Sequence, residues 1–506
     1  MKSVERQAGM LKKNHTEKLE STVKKVYSKL RKLAIQEYDK KNYEMSVKYI
    51  KTLSRVMYTY NLKYNDNEME ELLNKISKKC LKINNYIANE KKILFIDTQG
   101  KDRRGLSLIY VDALVESGYS IIYVTENINK SNYARIERLV KKSNGCIYIV
   151  NSSEQIKKAK RMISIIKKEK PSKMLLHTFP DDIVNAMVYY ACDGIAERYR
   201  INLTDHAFWI GTKAMDYLIE FRNLGGVKSV KKRKIPKEKL LLLPYYPSDN
   251  SEVKFKGFSF DSEGKRIIYS GGSTYKLAGS NLWFKIIKHI LDNFDDTIVY
   301  YNGNANDKEL INWIKSNGYT DRFIYEAERE DFEDVMKQCY VYVNTYPVSG
   351  GLMTQYAVKN GKVPISLVTD VEGMKQLFIN PKAEMEFLSD DYNKIIEYTD
   401  KILSDEKELI KCQEEIKEYI IRKEEFEEGL RNVLENKHTK YELDVKQKDT
   451  FDYKCISLER GVQNNSLLIS MLDRYISGLA FSKFKLLYIR YKVKEMLKNG
   501  GKNAGN

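Results

Sequence analysis

The strongest constraint on the fold of this chain is a regular alternation of short apolar runs and longer amphipathic stretches. The first series of apolar runs comprises KKILFIDT (91–98), SIIYVTEN, CIYIV (146–150), KMLLHTF (173–179) and INLTD (201–205). Short apolar runs bounded by turns predict buried strands, and the amphipathic stretches between them predict helices. Strands that alternate with helices in this way form a parallel sheet covered on both faces.

A second series follows the lysine-rich stretch VKSVKKRKIPKEKLLLLPYYPSDNSE (227–252), which breaks the alternation. Its predicted strands are KRIIYSGG (265–272), DTIVYYNG (296–303), RFIYEAE, YVYVNTYP (340–347) and VPISLV (363–368). Two such series predict an α/β protein with two Rossmann-like domains and a ligand cleft between them, at the carboxyl ends of the strands.

The segments outside the two series are predicted to be helical. The stretch EYDKKNYEMSVKYI is similar in spacing to a tetratricopeptide repeat, but no second copy follows at the period of about 34 residues. We therefore expect one or two helical hairpins near the N-terminus. The predicted divisions are 1–90 (helical region), 91–246 and 247–403 (the two Rossmann-like domains) and 404–506 (helical basic tail).

The net charge of +18 is concentrated at the two ends of the chain. Residues 1–90 carry 20 basic and 11 acidic side chains, and residues 479–506 carry 7 basic and 1 acidic, so the other 388 residues carry only +3. This distribution favours attraction to an anionic membrane surface or a polyanionic partner over a nucleic-acid groove through the core, and no nucleic-acid reader motif is present. Solvated lysine-rich helix faces are an equally weighted alternative.

Cysteine spacing and apolar segments bear on the cellular compartment. The six cysteines lie far apart without a CxxC pair or a histidine cluster, which predicts reduced thiols rather than a zinc site or a disulfide framework; they are Cys80, Cys146, Cys192, Cys339, Cys412 and Cys455. The first residues contain no apolar signal segment, and no uncharged apolar run is long enough to cross a bilayer. We expect a cytoplasmic protein, with peripheral attachment to the inner face of the membrane as an option.

Two glycine-containing loops follow predicted strands of the second series. Ser349, Gly350 and Gly351 precede a helix that is expected from about Leu352, and the other loop contains Gly271, Gly272, Ser273, Tyr275 and Lys276. Small residues let backbone N–H groups and a helix terminus approach a phosphate closely, although an ordinary strand-to-helix turn has the same pattern. Neither GxxxxGK[ST] nor GxGxxG occurs, which disfavours nucleotide hydrolysis and dinucleotide redox chemistry.

Histidines at predicted strand ends are the candidates for proton transfer. Asp205 and His206 follow INLTD and precede Trp209, and His177 ends another predicted strand. A histidine that faces the cleft could act as a general base or orient the substrate. A histidine held by hydrogen bonds within a loop is an equally weighted interpretation.

Three stretches carry a resemblance to a known family. HAFWIGTKAMDYLIEF (206–221), GSTYKLAGSNLWFKIIKHIL (272–291) and VNTYPVSGGLMTQYAVKNGKVPISL (343–367) resemble the catalytic region of the O-linked N-acetylglucosaminyltransferase family and its bacterial relatives, which are GT-B glycosyltransferases. The shared features are a Trp-aliphatic-Gly followed by Met-Asp-Tyr, a Tyr-Lys after a turn, and a glycine loop that opens a helix before a G-x-P strand.

The resemblance implies roles for individual residues. Lys276 corresponds to the lysine that contacts the diphosphate of the donor, and Ser349–Gly351 to the helix-opening loop beneath it. The chain departs from the family pattern at Leu352 and Met353, where hydroxyl residues are usual, and at Tyr356, where an acidic residue would bind the ribose. Thr354 is the candidate for a displaced hydroxyl.

The sequence thus predicts a GT-B glycosyltransferase with helical extensions at both ends. It would transfer a hexosyl or N-acetylhexosaminyl group from a nucleotide diphosphate sugar, UDP-linked in our expectation, to a protein or cell-surface glycan, without a metal or other cofactor. The expected catalytic residues are His206 and Lys276, and the expected acceptor side contains Gly105, His177, Asp205 and Trp209. The alternative is a catalytically inactive GT-B subunit that binds the acceptor for a partner glycosyltransferase.

The last stretch, LAFSKFKLLYIRYKVKEMLK, predicts an amphipathic basic helix that serves as a peripheral membrane anchor. The face expected to enter the membrane contains Phe481, Phe484, Leu487, Tyr488, Tyr491 and Met496. The flanking cations are Lys483, Lys485, Arg490, Lys492 and Lys494. The alternative is a helix that packs back across the two lobes.

Overall fold

The computed structural model describes residues 2–102, 105–248, 253–304, 306–379, 384–447, 449, 465–476 and 479–500. Two parallel sheets of seven and six strands form two lobes, and helices cover both faces of each sheet. The predicted α/β architecture is therefore confirmed. None of the described helices is long and apolar enough to cross a membrane.

The N-terminal helices form a layer on the first lobe. They are α1 (Lys2–Asp39), α2 (Tyr43–Tyr60) and α3 (Asn67–Cys80). The α1–α2 hairpin begins its second helix at Asn42, whose side chain accepts the Met45 N–H and so caps the helix. Val47, Ile50 and Leu53 on α2 are fully buried and pack in the core. The N-terminal helices and one face of the first sheet share a single hydrophobic core.

The first lobe has the strand order β3-β2-β1-β4-β5-β6-β7, and all pairs are parallel. Its strands are β1 (Asn89–Asp97), β2 (Ser120–Thr125), β3 (Cys146–Ile149), β4 (Pro171–His177), β5 (Glu197–Ile201), β6 (Tyr217–Glu220) and β7 (Leu240–Leu242). Its helices are α4 (Ser107–Glu116), α5 (Ala134–Lys142), α6 (Gln155–Glu169), α7 (Ile183–Ala191) and α8 (Asn223–Lys231).

The second lobe repeats this topology with the order β10-β9-β8-β11-β12-β13. Its strands are β8 (Arg266–Gly272), β9 (Thr297–Gly303), β10 (Phe323–Ala327), β11 (Val341–Val343), β12 (Pro364–Leu367) and β13 (Leu388–Ser389). Its helices are α9 (Leu282–Asn293), α10 (Lys308–Ser316), α11 (Phe332–Gln338), α12 (Gly351–Lys359), α13 (Val371–Lys375), α14 (Tyr392–Ser404) and α15 (Glu406–Ile416). In both lobes the order of the first strands is that of a Rossmann sheet.

The C-terminal helices return to the first lobe. In α16 (Lys423–Asn436), the buried Phe426 ring packs edge-on against Tyr110 and Tyr246 of the first lobe. The helix α17 (Asn465–Ile476) packs on α2, and α18 (Leu479–Gly500) packs on α17. The described residues after 404 thus contribute to the cores of both lobes.

Two predicted elements differ from the structure. The fifth strand ends at Ile201, and residues 202–205 of INLTD form the loop that follows it. Within the lysine-rich stretch 227–252, which was expected to break the alternation, residues 227–231 complete α8 and Leu240–Leu242 form β7. Its cations are compatible with this burial because Arg233 donates to the carbonyls of Thr204 and Asp205, and Lys228 pairs with Asp449.

Candidate active site

A cavity of about 300 Å³ lies between the two lobes, at the carboxyl ends of the strands of both sheets. The first lobe contributes Asp205 and His206, which follow β5, and Arg222, which follows β6. The second lobe contributes Ser349 and Gly351 from the loop before α12. The structure therefore brings together the histidine and the glycine loop that the sequence analysis selected separately.

The end of β8 allows the main chains of neighbouring strands to approach closely. Gly272 has a φ of +135°, a conformation that residues with a side chain rarely adopt. A Cβ atom on Gly271 would lie 2.9 Å from the Asn302 carbonyl oxygen, and one on Gly303 would lie 2.4 Å from the Gly272 carbonyl oxygen. Glycine is thus required here by the packing of β8 against β9. Ser273 precedes a short helical turn, Thr274–Leu277, in which Tyr275 is 53% exposed.

Lys276 on this turn brings a half-buried ammonium group between the two glycine loops. Cβ positions built on Gly272 and on Gly350 each lie 3.6 Å from its Nζ atom. Burial lowers the pKa of Lys276. Among the residues that the structure describes, no carboxylate lies within 4.0 Å of this Nζ atom. The Lys276 ammonium therefore has no carboxylate partner among the described residues. An anionic ligand would supply the opposite charge.

The Ser349–Gly351 loop is fixed by Asn344, directly after β11. The Gly350 N–H donates to Asn344 Oδ1 at 2.8 Å, and α12 starts at the next residue. The first N–H groups of a helix have no partner inside the helix, so those of Gly351 and Leu352 are the ones offered to a ligand. A side chain on Gly350 would lie against Asn344 and the Lys276 ammonium.

Thr354 does not supply the displaced hydroxyl that the sequence analysis assigned to it. Its side chain is fully buried, and its Oγ1 donates to the Gly350 carbonyl at 3.1 Å, one turn earlier in α12. Thr354 therefore stabilises the loop through a hydrogen bond to its backbone. The Tyr356 hydroxyl donates to the Ser248 carbonyl at 3.1 Å, in the segment that joins the lobes.

On the first lobe, Asp205, His206 and Arg222 form one charged network. His206 Nδ1 donates to Asp205 Oδ1 at 3.3 Å, and the Arg222 guanidinium binds both oxygens of Asp205. Burial opposes ionisation of Asp205, but the charge of Arg222 and the bond from His206 hold its pKa well below the usual range. Arg222 Nη1 also donates to the Gly373 carbonyl of the second lobe at 2.9 Å. The network thus orients His206 and connects the lobes.

The N-terminal helical layer is connected to the His206 loop by hydrogen bonds. The Asn61 amide and the Tyr64 hydroxyl both donate to the His206 carbonyl, at 3.3 and 3.1 Å. Asn61 Oδ1 accepts the Phe208 N–H, and the buried Glu70 accepts the N–H groups of Gly211 and Thr212. Sequence reasoning missed these residues, because nothing local to them signals a partner more than a hundred positions away.

Arg222 and Asn344 were also missed, although a signal for both exists in the sequence. Arg222 follows the apolar run YLIEF, which contains β6, and Asn344 follows VYV, which forms β11. Side chains at the carboxyl ends of parallel strands line the ligand cleft in folds of this type.

His177 and Gly105 contact each other but do not line the cavity. The His177 ring is fully buried, shares a 3.0 Å hydrogen bond with Asp97 through Nδ1, and accepts the Leu106 N–H at Nε2. A Cβ atom on Gly105 would lie 2.6 Å from His177 Nε2. His177 therefore fixes the loop after β1, and its expected place on the acceptor side is corrected to a supporting one.

Trp209 is likewise enclosed by the protein and cannot face an acceptor. It is fully buried, and the Arg200 guanidinium carbon lies 3.9 Å from its ring centroid. Arg233 lies on the same ring at 5.2 Å. The loop between β5 and β6 turns Trp209 toward the N-terminal helices, whereas Leu203, Asp205 and His206 of the same loop line the cavity.

Comparisons with known proteins identify the fold. No protein-family model matches the sequence, and no curated protein matches it. Among solved structures, Anabaena Alr3699/HepE in complex with UDP and glucose is 11% identical, with a TM-score of 0.51 over 68% of this chain and 99% of that chain. A Listeria monocytogenes protein provisionally named UDP-N-acetylglucosamine 2-epimerase is 11% identical, with a TM-score of 0.50 over 72% of this chain and 100% of that chain.

A mutant O-GlcNAc transferase from Thermobaculum terrenum also matches, at 12% identity and a TM-score of 0.44 over 86% of this chain and 78% of that chain. At identities this low, structural similarity shows the fold and not the reaction. The two lobes, their Rossmann-like sheets and the cavity between them are those of a GT-B protein, and the predicted GT-B fold is confirmed.

Proposed function

We propose that this chain is a glycosyltransferase that uses a UDP-linked sugar as donor and transfers a hexosyl or N-acetylhexosaminyl group. Its acceptor would be a protein or a cell-surface glycan. The observation that carries the proposal is the Lys276 ammonium, which lies between two glycine loops without a carboxylate partner among the described residues. A diphosphate is a ligand of matching charge and size for such a position.

In this proposal the second lobe stabilises the leaving group. When the bond between the sugar and the β-phosphate breaks, negative charge develops on the diphosphate. The Lys276 ammonium and the first N–H groups of α12 would be fixed donors aimed at that charge. The N–H groups of α12 are held in place by the helix before the reaction, so they need no reorganisation during it.

The first lobe would activate the acceptor. Asp205 is held ionised by Arg222 and accepts a hydrogen bond from His206 Nδ1, which orients the imidazole at the edge of the cavity. An oriented neutral imidazole can accept a proton from an attacking hydroxyl group. We therefore assign His206 as the general base and Asp205 and Arg222 as its positioning residues.

The decisive experiment is donor turnover with matched lysine variants. The full-length protein is incubated with a panel of nucleotide sugars, and release of free nucleoside diphosphate is measured in the presence of candidate acceptors. Lys276→Ala should reduce turnover by roughly two to three orders of magnitude, the cost commonly seen when one charge-stabilising donor is lost. Lys285→Ala, an exposed lysine on α9, is the matched control and should retain turnover. Equal activity of both variants would remove Lys276 from the site.

A catalytically inactive subunit that binds an acceptor is the second candidate. Leu352 and Met353 occupy positions where the resemblance implies hydroxyl residues, and the Thr354 hydroxyl is bonded to Gly350 rather than offered to a ligand. Thermal unfolding with and without UDP separates the two functions. An inactive acceptor-binding subunit should show no shift with UDP, whereas the enzyme should be stabilised by it.

A further inference from the structure

The outward face of α18 carries a stripe of exposed aliphatic side chains. Leu486, Ile489 and Val493 lie on one side of the helix and are 73%, 43% and 47% exposed. Their spacing of three and four residues places them in one stripe along the axis. The exposed Lys485 and Lys492 lie beside this stripe.

The stripe is not the face that the sequence analysis assigned to the membrane. Phe484 and Tyr488 of that predicted face are buried against the helical layer, and Leu487 and Tyr491 are partly buried beside them. The side chains of Phe481, Met496, Arg490 and Lys494 lie outside the described residues. The helix thus packs back onto the fold through one apolar face and presents a second one to solvent.

The fold places helix α1 beside helix α18. The Lys29 ammonium of α1 lies 5.2 Å from the centroid of the Phe484 ring, so α1 and α18 are neighbours. Lys25, Lys29 and Lys32 are exposed at a spacing of four and three residues, on one face of α1. The nearby carboxylates Glu20 and Glu37 pair with other lysines of the same helix region, Lys24 and Lys40. Exposed lysines of α1 and of α18 therefore lie on neighbouring helices and form one basic surface.

We propose that this surface, formed by the outward faces of α1 and α18, docks on an anionic lipid bilayer. Helix α18 would lie in the plane of the interface, with Leu486, Ile489 and Val493 among the lipid headgroups and the lysines at the phosphates. Basic residues that flank an exposed apolar stripe are the pattern of an interfacial helix. This inference is independent of the sugar-transfer reaction and goes beyond it.

Two other occupants fit the surface less well. A second copy of the chain would bring two clusters of lysines together, and like charges in contact oppose association. Nucleic acid would neutralise the lysines, but single strands are bound by stacking on aromatic rings, and the exposed side chains of this stripe are aliphatic. An anionic bilayer satisfies both the charge and the aliphatic character.

Vesicle co-sedimentation of the full-length protein tests the proposal. Vesicles of phosphatidylcholine with about one third phosphatidylglycerol should bind the protein, vesicles of phosphatidylcholine alone should bind it much less, and added salt should weaken binding to the anionic vesicles. The combined variant Leu486→Ser, Ile489→Ser, Val493→Ser should lower the partition coefficient at least about tenfold. Lys485→Gln with Lys492→Gln should lower it about tenfold.

Matched controls keep the test specific. Ile87, Ile128 and Ile410 are exposed elsewhere, and their combined replacement by serine should leave vesicle binding unchanged. Lys407→Gln with Lys411→Gln on α15 is the corresponding charge control. All variants should unfold at the same temperature, because the altered side chains are exposed.

Equal binding to neutral and anionic vesicles, or unchanged binding by both α18 variants, would overturn the proposal. The proposal would also be overturned if the unmodified protein did not bind vesicles but dimerised or bound nucleic acid, and the serine variant lost that property.

Discussion

Among single residues, Lys276 and Gly350 form the part of the site on which the donor proposal depends. Both lie on loops of the second lobe, and they come together because Asn344 holds the Gly350 N–H while the turn at Thr274–Leu277 projects Lys276 toward it. The backbone at Gly350 has an ordinary φ of −92°, so a side chain is excluded there by space rather than by strain.

Substitutions at Gly350 should therefore weaken nucleotide binding in order of side-chain size. Gly350→Ala adds a Cβ atom that would lie 3.3 Å from Asn344 Oδ1 and 3.6 Å from Lys276 Nζ, and a small loss is expected. Gly350→Val adds branches that obstruct the phosphate position, and we expect UDP affinity to fall at least about tenfold by calorimetric titration. Acceptor binding should change little. Equal losses for UDP and acceptor would indicate misfolding of the loop instead.

Glu220, at the end of β6, is a buried carboxyl group whose ionisation should make stability depend on pH. Burial raises its pKa to about 7, although Asn202 and Ser229 donate hydrogen bonds to it. The folded state therefore holds the proton more tightly than the unfolded chain, in which the pKa is 4.5. The resulting contribution to the free energy of unfolding is complete below pH 4.5 and is lost as the pH rises to about 7.

Glu220→Gln should remove this dependence, because the amide does not titrate. We expect the free energy of unfolding of the unmodified protein to fall by roughly 2 to 3 kcal/mol more than that of the variant between pH 4.5 and 7.5. Urea unfolding at several pH values measures it. Glu238→Gln, which replaces an exposed glutamate, should behave as the unmodified protein does. Parallel curves for Glu220→Gln and the unmodified protein would contradict the shifted pKa.

At the level of secondary-structure elements, α2, α3 and the loop between them support the cavity. They are connected to the loop between β5 and β6 by hydrogen bonds from Asn61 and Tyr64 to His206 and by those that Glu70 accepts from Gly211 and Thr212. The N-terminal helices are thus the support on which the His206 loop rests. Removing them would expose the loop and part of the first core together.

Glu70→Ala and its neighbour Glu71→Ala provide a matched test of this support. Glu70 is fully buried, and its loss leaves buried N–H donors without partners, which should lower the free energy of unfolding by about 3 kcal/mol. Glu71 is exposed and pairs with Lys213 at 3.5 Å, so its loss should cost less than about 1 kcal/mol. Urea unfolding measures both values. Similar costs for the two variants would show that the His206 loop does not depend on Glu70.

For the whole molecule, the two lobes are joined by more than the chain connection. Arg222 donates to the Gly373 carbonyl, the Leu224 N–H donates to Gln376 Oε1 at 2.6 Å, and α16 packs Phe426 into the first lobe. The first two bonds lie at the edge of the cavity. They are the contacts that would have to break if the lobes opened to admit a donor.

Gln376→Ala should loosen the lobes without changing the charged network at Asp205. In small-angle X-ray scattering without ligand, we expect a larger radius of gyration for the variant than for the unmodified protein. UDP should bring both to a similar value, because the cavity that it would enter is lined by residues of both lobes. Thermal unfolding serves as the control for folding. Identical scattering of the two proteins with and without UDP would show that these contacts do not restrain the lobes.

The sequence alone determined that both lobes are Rossmann-like and where the two glycine loops lie, although β7 and β13 were not predicted. The apolar runs KRIIYSGG and YVYVNTYP predicted β8 and β11 within a few residues, and Lys276 and Ser349–Gly351 follow them as expected. This works because a buried strand and its turn are encoded by neighbouring residues, through hydrophobic periodicity and glycine. The order of the parallel strands then places their carboxyl ends at one cleft.

Only the tertiary structure decided which candidates reach the cavity. His177, Trp209 and Thr354 satisfy the same local patterns as His206 and Gly350, yet each is enclosed by partners distant in the chain or one helical turn away. The same holds for α18, whose aromatic face predicted a membrane contact but packs on the helical layer, leaving Leu486, Ile489 and Val493 exposed. Periodicity shows that a helix has an apolar face, but what covers that face depends on contacts between remote segments, which local sequence does not specify.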